Sequence, residues 1–269
     1  MSTIELSVAQ FSATQDIENN RSISVSLIRR AGSSADLVVL PENAMYSDPT
    51  KEGPAAGYSE PLDGPFVSAI RETAKLAAIN VVVGFTESSD EDRPYNTLIF
   101  VDATGELSGV YRKIHLYDAF GYRESDSVKA AETAVPLVFE IKGVKVGAET
   151  CYDLRFPEVS RWLIDHDVDV IVLPAAWAVG PMKEIHWETL IRARAVENTV
   201  YFAASGQTGP HCTGQSIIVD PLGTVRASAG VEAEAIATTT ISTERIAQVR
   251  AVNPCLTNRR FTVKPNVYT

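Results

Sequence analysis

Glu42 follows the apolar run DLVVL, Lys113 follows VYR, and Cys151 follows VGAET. Each of these side chains therefore stands at the end of a predicted strand, where it can face a reactant at a sheet edge. A carboxylate, an ammonium and a thiol placed in this way suit acyl transfer, in which sulfur attacks a carbonyl or nitrile carbon. A free thiol, with a pKa of ~8.5, is mostly protonated at neutral pH and needs a base or a cation beside it. Glu42 can take the thiol proton and return it to a departing amine. Lys113 can hold the oxyanion of the tetrahedral intermediate, with the backbone N–H of Tyr152 as a second donor. An ionised Glu42 opposes a resting thiolate and Lys113 favours one, so the shared proton can rest on either partner.

Free cysteine is more often an inert apolar residue than a nucleophile. Around Cys151, however, Glu149, Asp153, Arg155 and Glu158 crowd charge that an inert thiol does not need. Cys212 and Cys255 lack such company and read as non-catalytic. His115 and His186 offer a cysteine-histidine pairing, but both read more simply as hydrogen-bonded structural groups. Arg155 either binds a substrate carboxylate or pairs with Glu158 or Asp153, and Arg194 and Glu197 are spaced for an i,i+3 ion pair. Tyr46, Phe120 and Trp177 lie in loops near the strand ends and are expected in the pocket wall. A metal-dependent phosphoesterase would need Glu42, Asp153 and a histidine as ligands. The sequence has no compact cluster of that kind, so neither metal nor cofactor is expected.

The elements that must position these groups follow from periodicity. Ile4 to Gln10 alternates as a strand, and Asn20 to Ala31 has helical spacing. Asp36 to Leu40 is a doubly buried strand. A Gly- and Pro-rich loop runs from Pro49 to Gly64, and a helix opens at Pro65 and runs to Ile79. Val81 to Phe85 is a strand, Asn96 to Val101 and Leu107 to Arg112 form a hairpin, and Leu137 to Ile141 turns at Lys142-Gly143 into Val144 to Ala148. Pro157 to His166 is helical, and Val168 to Leu173 is a strand ending at Pro174. Lys183 to Asn198 is a long helix with Ile185, Leu190, Ile191 and Ala195 on its apolar side. Strands follow at Val200 to Ser205, Ser216 to Asp220, Val225 to Ser228 and Ala235 to Ile241, and Ser242 caps a last helix to about Arg250. Buried strands alternating with helices, together with hairpins, predict an α/β protein of two mixed β-sheets packed face to face with helices outside.

The chain has 269 residues, 45% of them hydrophobic and 22% charged, and a single domain over 1–269 is expected. A net charge of −10 with no basic run argues against nucleic-acid or anionic-membrane partners. Three widely spaced cysteines fit neither a disulfide framework nor a zinc site and point to a reducing, cytoplasmic setting. No apolar run reaches the ~18 residues of a membrane span. The N-terminus reads as a strand rather than a leader.

Leu40-Pro41-Glu42-Asn43, Tyr111-Arg112-Lys113-Ile114-His115-Leu116 and Cys151 to Glu158 (CYDLRFPE) resemble the three signature segments of the nitrilase superfamily, the carbon-nitrogen hydrolases. HWETLIRARAVEN (His186 to Asn198) and GQSIIVDPLG (Gly214 to Gly223) resemble its later segments, so the resemblance covers nearly the whole chain. It implies a four-layer αββα sandwich that works as a homodimer or higher homo-oligomer. It also implies Glu42 as base, Lys113 as oxyanion stabiliser, Cys151 as nucleophile and Glu124 as a second glutamate that orients Lys113 or the attacking water. The substrates implied are small amides, with water as co-substrate. RFPE and HWETLIRARA resemble the Nit-type amidases acting on ω-amides of keto acids or on deaminated glutathione. N-carbamoyl compounds are the alternative and nitriles come after them. Two departures from the family pattern are Gln215, where a basic or aromatic residue is common, and Glu149, where a small or apolar one is common.

Overall fold

A computed structural model describes residues 1–48, 56–132 and 134–265, so the first part of the predicted Pro49 to Gly64 loop lies outside the described residues. The first sheet is built from β1 (Thr3–Gln10), β2 (Leu37–Val39), β3 (Asn80–Glu87), β4 (Tyr95–Val101), β5 (Leu107–Arg112) and β14 (Ala235–Ser242), in the order β14-β1-β2-β3-β4-β5. A two-stranded hairpin, β6 (Asp118–Ala119) and β7 (Tyr122–Arg123), stands apart from it. The second sheet comprises β8 (Leu137–Ile141), β9 (Val144–Ala148), β10 (Val170–Ala175), β11 (Tyr201–Gly206), β12 (Ile217–Val219) and β13 (Val225–Ser228), in the order β13-β12-β11-β10-β9-β8. In each sheet three parallel strands form the middle, β1-β2-β3 and β9-β10-β11, and antiparallel neighbours flank them. This is the mixed pattern that hairpins plus helical crossovers produce.

The layers follow from alternation along the buried strands. In β2, Leu37 and Val39 face the second sheet while Val38 faces helices. In β10, Val170 and Val172 face the first sheet while Ile171 and Leu173 face helices. Strands apolar on both faces thus build one core between the sheets and one outside each of them. Helices α1 (Ile17–Ala31) and α2 (Pro65–Ala77) cover the first sheet. Helices α3 (Pro157–Ile164) and α4 (Lys183–Asn198) cover the second, and α5 (Thr243–Val252) follows β14. The αββα sandwich is the architecture expected from the sequence. Among the described residues no helix is long and apolar enough to cross a membrane.

Several boundaries differ from the sequence reading. α1 begins at Ile17 because the Asp16 carboxylate accepts the Asn19 N–H at 3.0 Å and caps the helix three residues early. β10 runs through Pro174, which lies beyond the end of the β9 ladder. On α4 the buried stripe is Trp187, Ile191, Arg194, Ala195 and Asn198, and Ile185 is 55% exposed. Apolar character alone put Ile185 on the inner side, whereas helical phase turns it away. The hairpin β6–β7 escaped notice because two-residue strands carry no periodic signal; Phe120 and Gly121, both left-handed, form its turn.

Candidate active site

Glu42 leaves the end of β2 on a bend in which Asn43 is left-handed (φ 54°). The bend crosses β3 at Gly84, where a Cβ would sit 2.6 Å from the Glu42 Cα, so only glycine allows the approach. The side-chain amide of Gln207, just past β11, donates to the carbonyls of Glu42 and Asn43 at 2.8 and 3.1 Å and ties the bend to the second sheet. Three donors hold the Glu42 carboxylate. Its Oε1 accepts from Asn96 Nδ2 at 2.7 Å and Lys113 Nζ at 2.8 Å, and its Oε2 accepts from the Ala176 N–H at 2.7 Å.

Lys113 continues β5, its N–H donating to the Asn96 carbonyl at 2.9 Å. Its ammonium, 2% exposed, also donates to Glu124 Oε2 at 2.9 Å. Glu124 opens a short 3-10 turn after β7 and accepts further bonds from Asn96 Nδ2 at 2.9 Å and the Tyr117 N–H at 2.6 Å. Asn96 therefore bridges two carboxylates that converge on one lysine.

Cys151 stands three residues past the end of β9, in a left-handed conformation (φ 44°) that residues other than glycine rarely adopt. It opens a 3-10 turn, Cys151–Arg155, that Asp153 holds. Asp153 Oδ2 accepts the Thr150 N–H at 3.0 Å and the Tyr111 hydroxyl at 2.6 Å, while Oδ1 meets His115 Nδ1 at 2.8 Å. The Cys151 turn is thereby fastened to the strand that leads to Lys113. The Cys151 thiol lies close enough to the Glu42 side chain for each group to shift the other's ionisation.

Electrostatics decides where the shared proton rests. Burial opposes ionisation of Glu42, but the Lys113 charge and bonds from Lys113, Cys151 and Asn96 hold its carboxyl below the ordinary value. Burial also opposes a charged Lys113, and Glu124 and Glu42 outweigh it and raise the ammonium. Burial and the Glu42 charge push the Cys151 thiol well up, against the pull of Lys113. The resting pair is thus a neutral thiol beside a carboxylate, which the sequence reading left open. Glu149, two residues before the thiol, is fully buried, accepts the Ser160 hydroxyl at 2.8 Å and is pushed up to about 8, chiefly by burial. It is mostly protonated at neutral pH and places little charge near the thiol.

A ring of aromatics and two cations surrounds the thiol turn. Tyr117 packs edge-on against Tyr152, and Tyr152 against Phe156. The Arg155 guanidinium lies over Trp177 (4.8 Å) and Phe120 (5.4 Å), and its Nη2 is 3.3 Å from His186 Nδ1. The expected pairing of Arg155 with Asp153 or Glu158 is not formed, because Tyr111, His115 and Thr150 occupy the Asp153 oxygens and the guanidinium turns to the rings instead. Lys183 joins the same cluster, its Nζ 3.9 Å from the Phe120 ring centroid.

The structure brings Glu42, Lys113 and Glu124 into one hydrogen-bonded group with Cys151 next to Glu42, and sets Tyr152, Arg155, Trp177 and Phe120 beside it. Tyr46 instead stacks on Tyr58, ring centroids 4.0 Å apart. His115 and His186 are hydrogen-bonded to Asp153 and Arg155, Arg194 pairs with Glu197 at 3.1 Å, and Cys255 donates to the Glu197 carbonyl. Sequence reasoning missed Asn96, Tyr117 and Lys183. Tyr117 directly follows a signature segment, Lys183 lies three residues before a later one, and Asn96 is the second residue of the strand that pairs with the one delivering Lys113.

The carbon-nitrogen hydrolase family model matches residues 5–251. An Escherichia coli O157:H7 protein named deaminated glutathione amidase is 38% identical over 95% of this chain and 97% of its own. Among solved structures, the Caenorhabditis elegans NitFhit protein superposes with a TM-score of 0.89 at 29% identity, over 97% of this chain and 66% of that one. Saccharomyces cerevisiae Nit3, a member of branch 10 of the nitrilase superfamily, gives 0.84 at 28% identity over 97% of both chains.

Proposed function

Given that the chain belongs to the carbon-nitrogen hydrolase family, we propose that it hydrolyses a small carboxylate-bearing amide through a thioester on Cys151. The observation that carries this reading is the contact of the Cys151 thiol with a Glu42 carboxylate held ionised by Lys113. Sulfur attacks the amide carbon while the thiol proton passes to Glu42. Lys113 Nζ and the Tyr152 N–H receive the oxyanion. Collapse breaks the C–N bond, and Glu42 gives its proton to the departing nitrogen, so ammonia or an amine leaves. Glu42 then takes a proton from water, whose oxygen attacks the thioester. The proton returns to sulfur as the acid is released. Glu124, bonded to Lys113, keeps the ammonium aimed and acts as a positioning residue.

Arg155 supports the carboxylate: a half-buried guanidinium with no carboxylate partner among the described residues suits an anionic acyl group. The substrates are thus an ω-amide of a keto acid or deaminated glutathione, the latter in keeping with the name of the Escherichia coli relative. N-carbamoyl amino acids form the second class, since the same unit serves a ureido carbonyl. The chain acts as one domain in a cytoplasmic homodimer or larger homo-oligomer, which sedimentation of the purified protein checks. Ammonia or amine release is to be measured over α-ketoglutaramate, deaminated glutathione, N-carbamoyl amino acids, neutral amides and nitriles, with Cys151→Ala as control. Cys151-dependent turnover favouring the carboxylate-bearing amides is expected. A Cys151→Ala protein as active as wild type would overturn the mechanism.

A further inference from the structure

Lys183 opens α4, and its side chain is only 4% exposed. The Trp177 indole donates to its carbonyl at 2.9 Å and fixes its backbone. Its Nζ donates to the Tyr117 hydroxyl at 2.6 Å and lies 3.9, 4.8 and 5.8 Å from the ring centroids of Phe120, Tyr117 and Trp177. Two of those rings, Phe120 and Trp177, also carry the Arg155 guanidinium. The Tyr117 N–H in turn bonds Glu124, which bonds Lys113, so this cluster is continuous with the reacting groups. Among the described residues neither Lys183 nor Arg155 has a carboxylate within ion-pair distance. Burial and the neighbouring Arg155 both hold the Lys183 ammonium below its ordinary value, while proximity to Cys151 acts the other way.

Two cations sharing one aromatic-walled recess repel each other and lose hydration, and aromatic faces offset only part of that cost. A ligand carboxylate relieves it, and a ligand ammonium aggravates it. We propose that Lys183 is a specificity-determining residue, a charge filter beside Arg155 that admits an acyl group ending in a carboxylate and rejects the same group bearing an α-ammonium. The amide of a dicarboxylate or of a 2-oxo acid enters, and the corresponding amino-acid amide does not. Discrimination thus comes from a repulsive element as well as an attractive one. This inference rests on the reading that Arg155 takes a substrate carboxylate.

Glutaramate and glutamine differ only in the α-ammonium, and they are the probes, with butyramide as a neutral control. In the wild type kcat/KM for glutaramate should exceed that for glutamine by at least ~10-fold. Lys183→Gln should cut that ratio by ~10-fold or more, and Lys183→Arg should keep it within about 3-fold of wild type. An unchanged ratio in Lys183→Gln, or an equal fall in Lys183→Arg, would overturn the filter. Competitive inhibition of the wild type needs no variant: glutamate should bind at least ~10-fold more weakly than glutarate, and equal inhibition overturns the proposal. If butyramide is hydrolysed and glutaramate is not, the carboxylate reading itself falls. If glutaramate and glutamine turn over equally, only the filter falls.

Discussion

The inner and outer halves of the site treat charge in opposite ways. Inside, Lys113 is bracketed by Glu42 and Glu124, and each of those carboxylates is further held by Asn96 and a backbone N–H. Outside, Arg155 and Lys183 face aromatic rings with no carboxylate of the described chain beside them. The inner half is a finished machine whose charges are compensated before any ligand arrives, as a preorganised transition-state site must be. The outer half lacks such compensation, and under the proposed function its counter-charge would arrive with the substrate. Chemistry and selection are thereby separated in space, with Cys151 and Tyr152 at the junction.

Removing an inner group should therefore damage every substrate alike. Glu42→Gln takes away the proton acceptor, and a fall in kcat of ~10³-fold is expected on charged and neutral amides equally. Lys113→Ala should cost at least ~100-fold in kcat, the usual consequence of deleting an oxyanion donor, and an unchanged rate would remove Lys113 from the unit. Outer variants should act by substrate. Arg155→Gln should raise KM for carboxylate-bearing amides by ~10-fold while leaving the ratio of kcat values near one, and an equal loss on butyramide would erase the distinction between the halves.

The pH profile sharpens the same contrast. Glu42 is held below the ordinary 4.5, chiefly by Lys113 working against burial, so it stays a competent base until the pH falls beneath that value. An acid limb of kcat/KM lying above pH 5 on a neutral amide would contradict this. The smallest effect is on stability. Glu149 has its folded value raised from 4.5 to about 8 by burial. Between those values the folded protein keeps a proton that the unfolded chain has released, so stability declines as pH rises through that window. Glu149→Gln lacks this decline, and its melting temperature relative to wild type should rise between pH 5 and 8; a constant difference would refute the assignment.

Much of this was legible in the sequence because Glu42 follows a strand buried on both faces, and Lys113 and Cys151 each follow the second strand of a hairpin. The layered fold followed from the same runs and the hairpins between them. Asn96 was not legible, because its role depends on two carboxylates from segments distant in sequence, Glu42 and Glu124, meeting at its side chain. Lys183 looked like an ordinary charge in the first turn of a helix, and only the folding of the 118–123 hairpin over it reveals a buried cation. The state of the Cys151 proton was equally hidden, since it depends on how deeply three segments distant in sequence bury one another.

The central claim is a covalent acyl intermediate on Cys151, and intact-mass analysis of the protein quenched during turnover tests it most directly. With the best carboxylate-bearing amide, the wild-type protein should show a mass increase equal to the acyl group less one hydrogen, mapped by peptide analysis to Cys151 and absent from Cys151→Ala. An adduct on another residue, or full turnover by Cys151→Ala, would contradict the account.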